Sequence, residues 1–89
     1  MADPLEIRAQ GTPNPNAVKF TINRMIATQG TTYRDAAAAQ MPWAQQLLRL
    51  PGVTQVFALQ NFISVTKTPE TDWNVLGPQI EGVLRQALS

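Results

Sequence analysis

The chain has 89 residues, 44% of them hydrophobic and 15% charged, with 7 Lys and Arg set against 6 Asp and Glu for a formal net charge of +1. A length of this order holds one small core, and a dispersed, nearly balanced charge argues against a nucleic-acid partner. No apolar run approaches the roughly 18 residues needed to span a bilayer, and with no cysteine or histidine the usual ligands of zinc, haem and iron–sulfur centres are absent. One domain is therefore expected over residues 1–89, with its core at about 5–88. The opening Met-Ala-Asp-Pro-Leu-Glu lacks a basic stretch followed by an apolar one, so no secretion signal is expected and the expected compartment is the cytoplasm.

Leu5 to Gln10 alternates apolar and polar with period two and predicts a half-buried strand with Leu5, Ile7 and Ala9 inward. Gly11-Thr-Pro-Asn-Pro-Asn16 breaks it, because both prolines lack a donor and bias their predecessors away from helix. Ala17 to Asn23 predicts the second strand of an antiparallel pair, with Val18, Phe20 and Ile22 inward and Lys19 and Thr21 outward. Arg24 to Met41 reads as a loop with one helical turn at Ala36–Ala39, capped by Asp35; Thr31-Thr-Tyr33 offers a short strand as the alternative.

Pro42 suits a first helical residue, and Trp43, Leu47 and Leu50 fall on one helical face. Pro51-Gly52 stops that helix, since proline cannot continue it and glycine accepts the left-handed turn. Val53 to Leu59 and Phe62 to Thr66 are rich in β-branched and aromatic residues and predict a hairpin closed by Gln60-Asn61, where Asn tolerates positive φ. Thr71 or Asp72 caps the last helix, whose stripe runs Trp73, Leu76, Ile80, Val83, Ala87 with Val75 and Leu84 beside it. The stripe continues through Pro78, so one bent helix is expected. The order β–β–α–β–β–α implies an α+β fold: a two-layer sandwich with a mainly antiparallel sheet and both helices on one face.

A two-residue loop pairs Leu59 with Phe62, Ala58 with Ile63, Phe57 with Ser64 and Val56 with Val65, and opposed residues share a face. Val56, Ala58, Ile63 and Val65 then lie under the helices. Phe57, Leu59 and Phe62 lie on the other side, either as an exposed apolar contact or partly covered by the Arg24–Met41 segment. No nucleophile has a histidine base, and the carboxylates Asp3, Glu6, Asp35, Glu70, Asp72 and Glu81 show no pairing. No glycine-rich phosphate loop is present. Thus no catalytic residue, metal ligand or cofactor is expected. The loop Thr12–Asn16 is the one suggestive stretch. It is either a rigid connection capping its own backbone or a cradle for an anion or a peptide carbonyl.

Thr12-Pro-Asn-Pro-Asn-Ala-Val-Lys-Phe20 resembles the opening signature of the N-terminal domain of Nfu/NifU-like proteins. The similarity continues through Pro42-Trp-Ala44, Leu50-Pro-Gly-Val-Thr-Gln-Val-Phe57, Asn61-Phe-Ile-Ser-Val-Thr-Lys67 and Asp72-Trp73. The resemblance implies a place in iron–sulfur cluster biogenesis, where full-length members carry clusters on a Cys-x-x-Cys motif in a separate C-terminal domain. These residues include no cysteine, so the expectation is a stand-alone accessory domain that does not itself bind a cluster. Met41 stands where the family usually has serine, which removes a helix cap. The leading functional expectation is a non-enzymatic module that docks a protein partner of the iron–sulfur machinery, with neither nucleic acid nor membrane involved. Its contact is expected at Thr12, Asn14, Asn16 and Lys19, extending to Lys67, whose stem should pack while its ammonium snorkels outward. The other reading makes the Thr12–Asn16 loop a small-ligand, anion or phospho-group site, or the site of a weak enzyme.

Overall fold

Two antiparallel hairpins laid side by side build most of the sheet. The structure, a computed structural model, describes residues 4–37, 39 and 41–88. Its elements are β1 (Ile7–Gly11), β2 (Ala17–Ile22), β3 (Ala27–Tyr33), α1 (Pro42–Leu48), β4 (Val53–Gln60), β5 (Phe62–Lys67) and α2 (Trp73–Leu88). They form a five-stranded antiparallel sheet in the order β1-β2-β5-β4-β3. The fold is α+β, as expected, but its order is β–β–β–α–β–β–α. The segment read as a loop supplies a whole strand, β3, at the sheet edge. Period-two apolar alternation is missing from Ala-Thr-Gln-Gly-Thr-Thr-Tyr because an edge strand buries little on either face. Asp35 does start a single turn after it, accepting from the N–H of Ala37 on its side chain and of Ala39 on its backbone. Ala38 and Gln40, which belong to that expected turn, lie outside the described residues, as does Asp3.

The β4–β5 register is the predicted one: Leu59 opposes Phe62, Ala58 Ile63, Phe57 Ser64 and Val56 Val65. The left-handed residue of its turn is Gln60, at φ 53°, and not Asn61. Val56, Ala58, Ile63 and Val65 are fully buried beneath Leu47 of α1 and Leu76, Ile80 and Leu84 of α2. Each such aliphatic side chain contributes about 1.5–3 kcal/mol by leaving water. β2 joins the hairpins through Val18–Val65 and Phe20–Ile63 on the same side. β1 begins at Ile7, two residues later than expected. Leu5 is nonetheless buried, while Ala9 is exposed, beside a hollow it shares with Trp73, Gly77 and Pro78 of α2.

Pro42 opens α1 after an extended Met41 that makes no side-chain cap, and Asp72 caps α2 by accepting from the Asn74 N–H at 2.9 Å. The α2 stripe centres on Leu76, Ile80 and Leu84; Val75 and Ala87 are exposed and Trp73 is half-buried. The helix runs unbroken through Pro78.

Gly52 ends the α1 connection at φ 96°, a conformation that L side chains rarely adopt. A Cβ there would lie 2.2 Å from Thr71 Oγ1, which is itself bonded to Thr68 Oγ1. Gly52→Ala should therefore cost roughly 1–3 kcal/mol from the backbone alone, with a further loss from displacing Thr71. Urea denaturation should show the drop, and adding Thr71→Ala should recover part of it.

Candidate functional site

The residues singled out from the sequence fall into two groups on opposite sides of the sheet. At one end, the loop between β1 and β2 closes on itself. The Thr12 hydroxyl lies 2.9 Å from the Asn14 carbonyl and 3.0 Å from that of Ala17, and it accepts from the Asn14 N–H at 3.2 Å. Asn14 Oδ1 accepts from the Asn16 N–H at 3.0 Å, an Asx turn. The Ala17 N–H returns to the Asn14 carbonyl.

Lys67, the last residue of β5, ties this loop to the rest of the molecule. Its backbone N–H donates to the Asn16 carbonyl at 2.8 Å. Its ammonium donates to Asn16 Oδ1 at 3.3 Å and to the Thr68 carbonyl at 3.2 Å, and sits 5.5 Å from the centre of the Trp73 ring. The side chain is only 7% exposed. The stem packs as expected, but the ammonium turns inward onto these partners instead of snorkelling to solvent. Trp73 closes the corner by donating from Nε1 to the Pro15 carbonyl at 3.0 Å, a contact for which the sequence held no signal. Loop oxygens, a buried cation and an indole thus bond to one another, and no buried side-chain polar atom among the described residues lacks a partner.

Lys19 lies on the other side. It opposes Ser64 across β2–β5, with Phe20 and Ile22 facing the helices, so its side chain rises from the uncovered sheet face. Its ammonium stands 4.5 Å above the Phe62 ring, whose centre is 6.1 Å from that of Phe57. Arg8, opposite Thr21, lies on the same face. Phe57, Leu59 and Phe62 are half-buried, not exposed. Part of the cover is lateral: the Phe57 ring lies over Gly30 of β3, where an added Cβ would come within 3.1 Å of it. Partial cover from the Arg24–Met41 segment is therefore what the structure shows. Arg34, just past β3, donates from Nε to Gln55 Oε1 at 3.1 Å at the margin of this face.

The donor set does not suit an iron–sulfur cluster. The chain has neither thiolate nor imidazole, and no three carboxylates gather among the described residues. Met25 and Met41 offer only thioethers, weak donors that do not hold iron clusters unaided. No described helix is long and apolar enough to cross a membrane.

If Lys67 is the pin of the loop corner, Lys67→Met keeps the packed stem and removes the ammonium. We expect a loss of about 1.5–3 kcal/mol, the range for hydrogen bonds to a charged group. Amide exchange should quicken at Asn14 and Asn16, with the β4–β5 turn unaffected, which NMR exchange rates would show.

Comparison with known proteins places this geometry in a family. The family described as "Scaffold protein Nfu/NifU N terminal" matches residues 7–89. The human protein named "NFU1 iron-sulfur cluster scaffold homolog, mitochondrial" is 44% identical over 77 residues, covering 83% of this chain and 30% of that protein. "Conserved virulence factor C" of Staphylococcus aureus is 32% identical over 82 residues, covering 91% of this chain and 22% of that protein. The chain thus spans less than a third of the length of these curated relatives. Among solved structures, a NifU-like protein from Saccharomyces cerevisiae superposes with a TM-score of 0.83 at 27% identity, covering 94% of this chain and 78% of that one. The crystal structure of SAV1430 from Staphylococcus aureus gives 0.81 at 28%, covering 89% of this chain and 98% of that one. The chain belongs to the Nfu/NifU N-terminal family.

Proposed function

We propose that the chain is a non-enzymatic docking domain that serves iron–sulfur cluster assembly or delivery without holding the cluster. The observation that carries this reading is the sheet face turned away from the helices, where Lys19 stands over Phe62 beside the half-buried Phe57 and Leu59, with Arg8 further along the same face. A half-apolar patch flanked by cations suits a protein surface that brings its own apolar side chain and carboxylates. Family membership supports the assignment to iron–sulfur biogenesis, since the human relative is named an iron–sulfur cluster scaffold homolog. The lack of any nucleophile–base pair supports a non-enzymatic role. The Thr12–Asn16 loop and Lys67 enter as the frame that fixes the start of β2 and the end of β5, and so the position of Lys19. Their internal bonding weighs against the loop as an anion site.

Two measurements test this. The immobilised protein should recover components of the iron–sulfur machinery from an extract of its own source cells, and Lys19→Glu/Phe62→Ser should lose them while melting within a few degrees of the wild type. Identical recovery by both proteins would remove the face from the account. Separately, anaerobic reconstitution with iron and sulfide followed by desalting should leave the protein colourless. Stoichiometric iron with a visible charge-transfer band would show that it holds a cluster after all.

A further inference from the structure

The molecule has two polar corners, and they treat their side chains in opposite ways. At the loop corner, Asn14, Asn16 and Lys67 bond their polar atoms to one another and to the backbone. At the other end of β2 it is the backbone that is tied down. The Asn23 N–H donates to the Glu6 carbonyl at 3.3 Å, and Asn23 Oδ1 accepts from the Glu6 N–H at 3.0 Å. The Ile22 N–H donates to the Asn61 carbonyl at 2.7 Å, which holds the β4–β5 turn against the same strand end. The entry to β1, the end of β2 and the hairpin turn are thus fixed relative to one another.

The side chains that rise from this frame are left open. Glu6 and Arg8 flank the half-buried Ile7, so both turn away from the helices. Arg8 opposes Thr21, and Thr21 opposes Phe62, the neighbour of Asn61. The Glu6 carboxylate, the Arg8 guanidinium, the Thr21 hydroxyl and the Asn61 amide have no partner among the described residues. All four residues nonetheless line one hollow of about 190 Å³, closed by Ile22 and Asn23. Glu6 and Arg8 share it without closing into an ion pair.

Size and charge select what fits. The hollow has room for about six waters at roughly 30 Å³ each. It is smaller than the roughly 300–1,000 Å³ of sites that enclose cofactor-sized ligands. A lone anion would meet Arg8 but also the charge of Glu6, and a lone cation the converse. A guanidinium takes a carboxylate in a planar two-point contact, and a carboxylate accepts from an ammonium. We propose that this hollow binds a small zwitterion, a free α-amino acid, with its carboxylate on Arg8 and Thr21 and its ammonium on Glu6 and the Asn61 amide oxygen. The fixed backbone lowers the cost of binding, since only exposed side chains have to be ordered. The site shares Arg8 with the docking reading but none of the aromatic patch, and it goes beyond that reading and does not depend on it.

The test titrates the whole ¹⁵N-labelled protein with glycine, the smallest such zwitterion, and in parallel with acetate and with methylammonium, which carry its two charges singly. Glycine should give saturable shift changes centred on Glu6, Arg8, Thr21 and Asn61, with a Kd on the order of 1 mM. Acetate and methylammonium should each bind about tenfold or more weakly. Glu6→Gln and Arg8→Gln alter exposed side chains, and each should weaken glycine about tenfold while the melting temperature stays within a few degrees of the wild type. Arg49→Gln, which removes an exposed cation at the end of α1, should bind glycine as the wild type does. No saturable change at tens of millimolar glycine would overturn the proposal. So would acetate binding as tightly as glycine, which would make the hollow a plain anion site, or wild-type affinity in both Glu6→Gln and Arg8→Gln. The comparison of the three ligands decides the matter even where a variant loses its fold.

Discussion

A slip of one residue in the β4–β5 hairpin would carry Val56, Ala58, Ile63 and Val65 from the helices to solvent. Everything else in the fold depends on that register. Gln60, held left-handed, allows a turn tight enough to forbid the slip. With it set, the four side chains make an apolar floor that α1 and α2 both need, and β2 and β3 find their places on either flank. The helices contribute little on their own account: α1 is two turns long and uncapped by any side chain, too short to persist without the sheet beneath it.

The same register divides the sheet into two faces with different tasks. The covered face holds the stability. The bare face retains one cation, Lys19, over the Phe62 ring, and its large apolar side chains are half-buried, so it remains compatible with water in the absence of a partner. Residues that looked functional together are thus separated by the thickness of the sheet. Lys19 and Lys67 differ in parity on neighbouring strands, so one reaches the bare face and the other closes the loop corner.

Legibility in the sequence followed burial. β4 and β5 were readable to within one residue at their ends because one side of each is buried, so burial alternates strictly along Val56-Phe-Ala58 and Ile63-Ser-Val65. β3 was not, because its exposed edge leaves Thr28, Gln29 and Gly30 free of any such pattern. Gly30 carries its own signal only in retrospect: it makes room for the Phe57 ring, a contact between strands that no local window contains. For the candidate site, the loop's turn chemistry was legible in Thr12, Asn14 and Asn16, whereas the inward turn of Lys67 required knowing that Trp73 would arrive beside it. Parity alone placed the lysine stem correctly and left its head group undetermined.

The two ends of the described chain are held at one corner. Arg85, paired with Glu81 at 2.9 Å, also donates to the Leu5 carbonyl at 3.2 Å, while Arg24 donates to the carbonyl of Leu88. Entry and exit therefore share a doorway. In a longer polypeptide built on this fold, a module attached through either terminus would pivot about the same point, and the arc it sweeps would be set by linker length rather than by which terminus bears it. Neighbouring modules would then meet the domain at a local concentration governed by that tether, with the bare sheet face within the reach of one hinge.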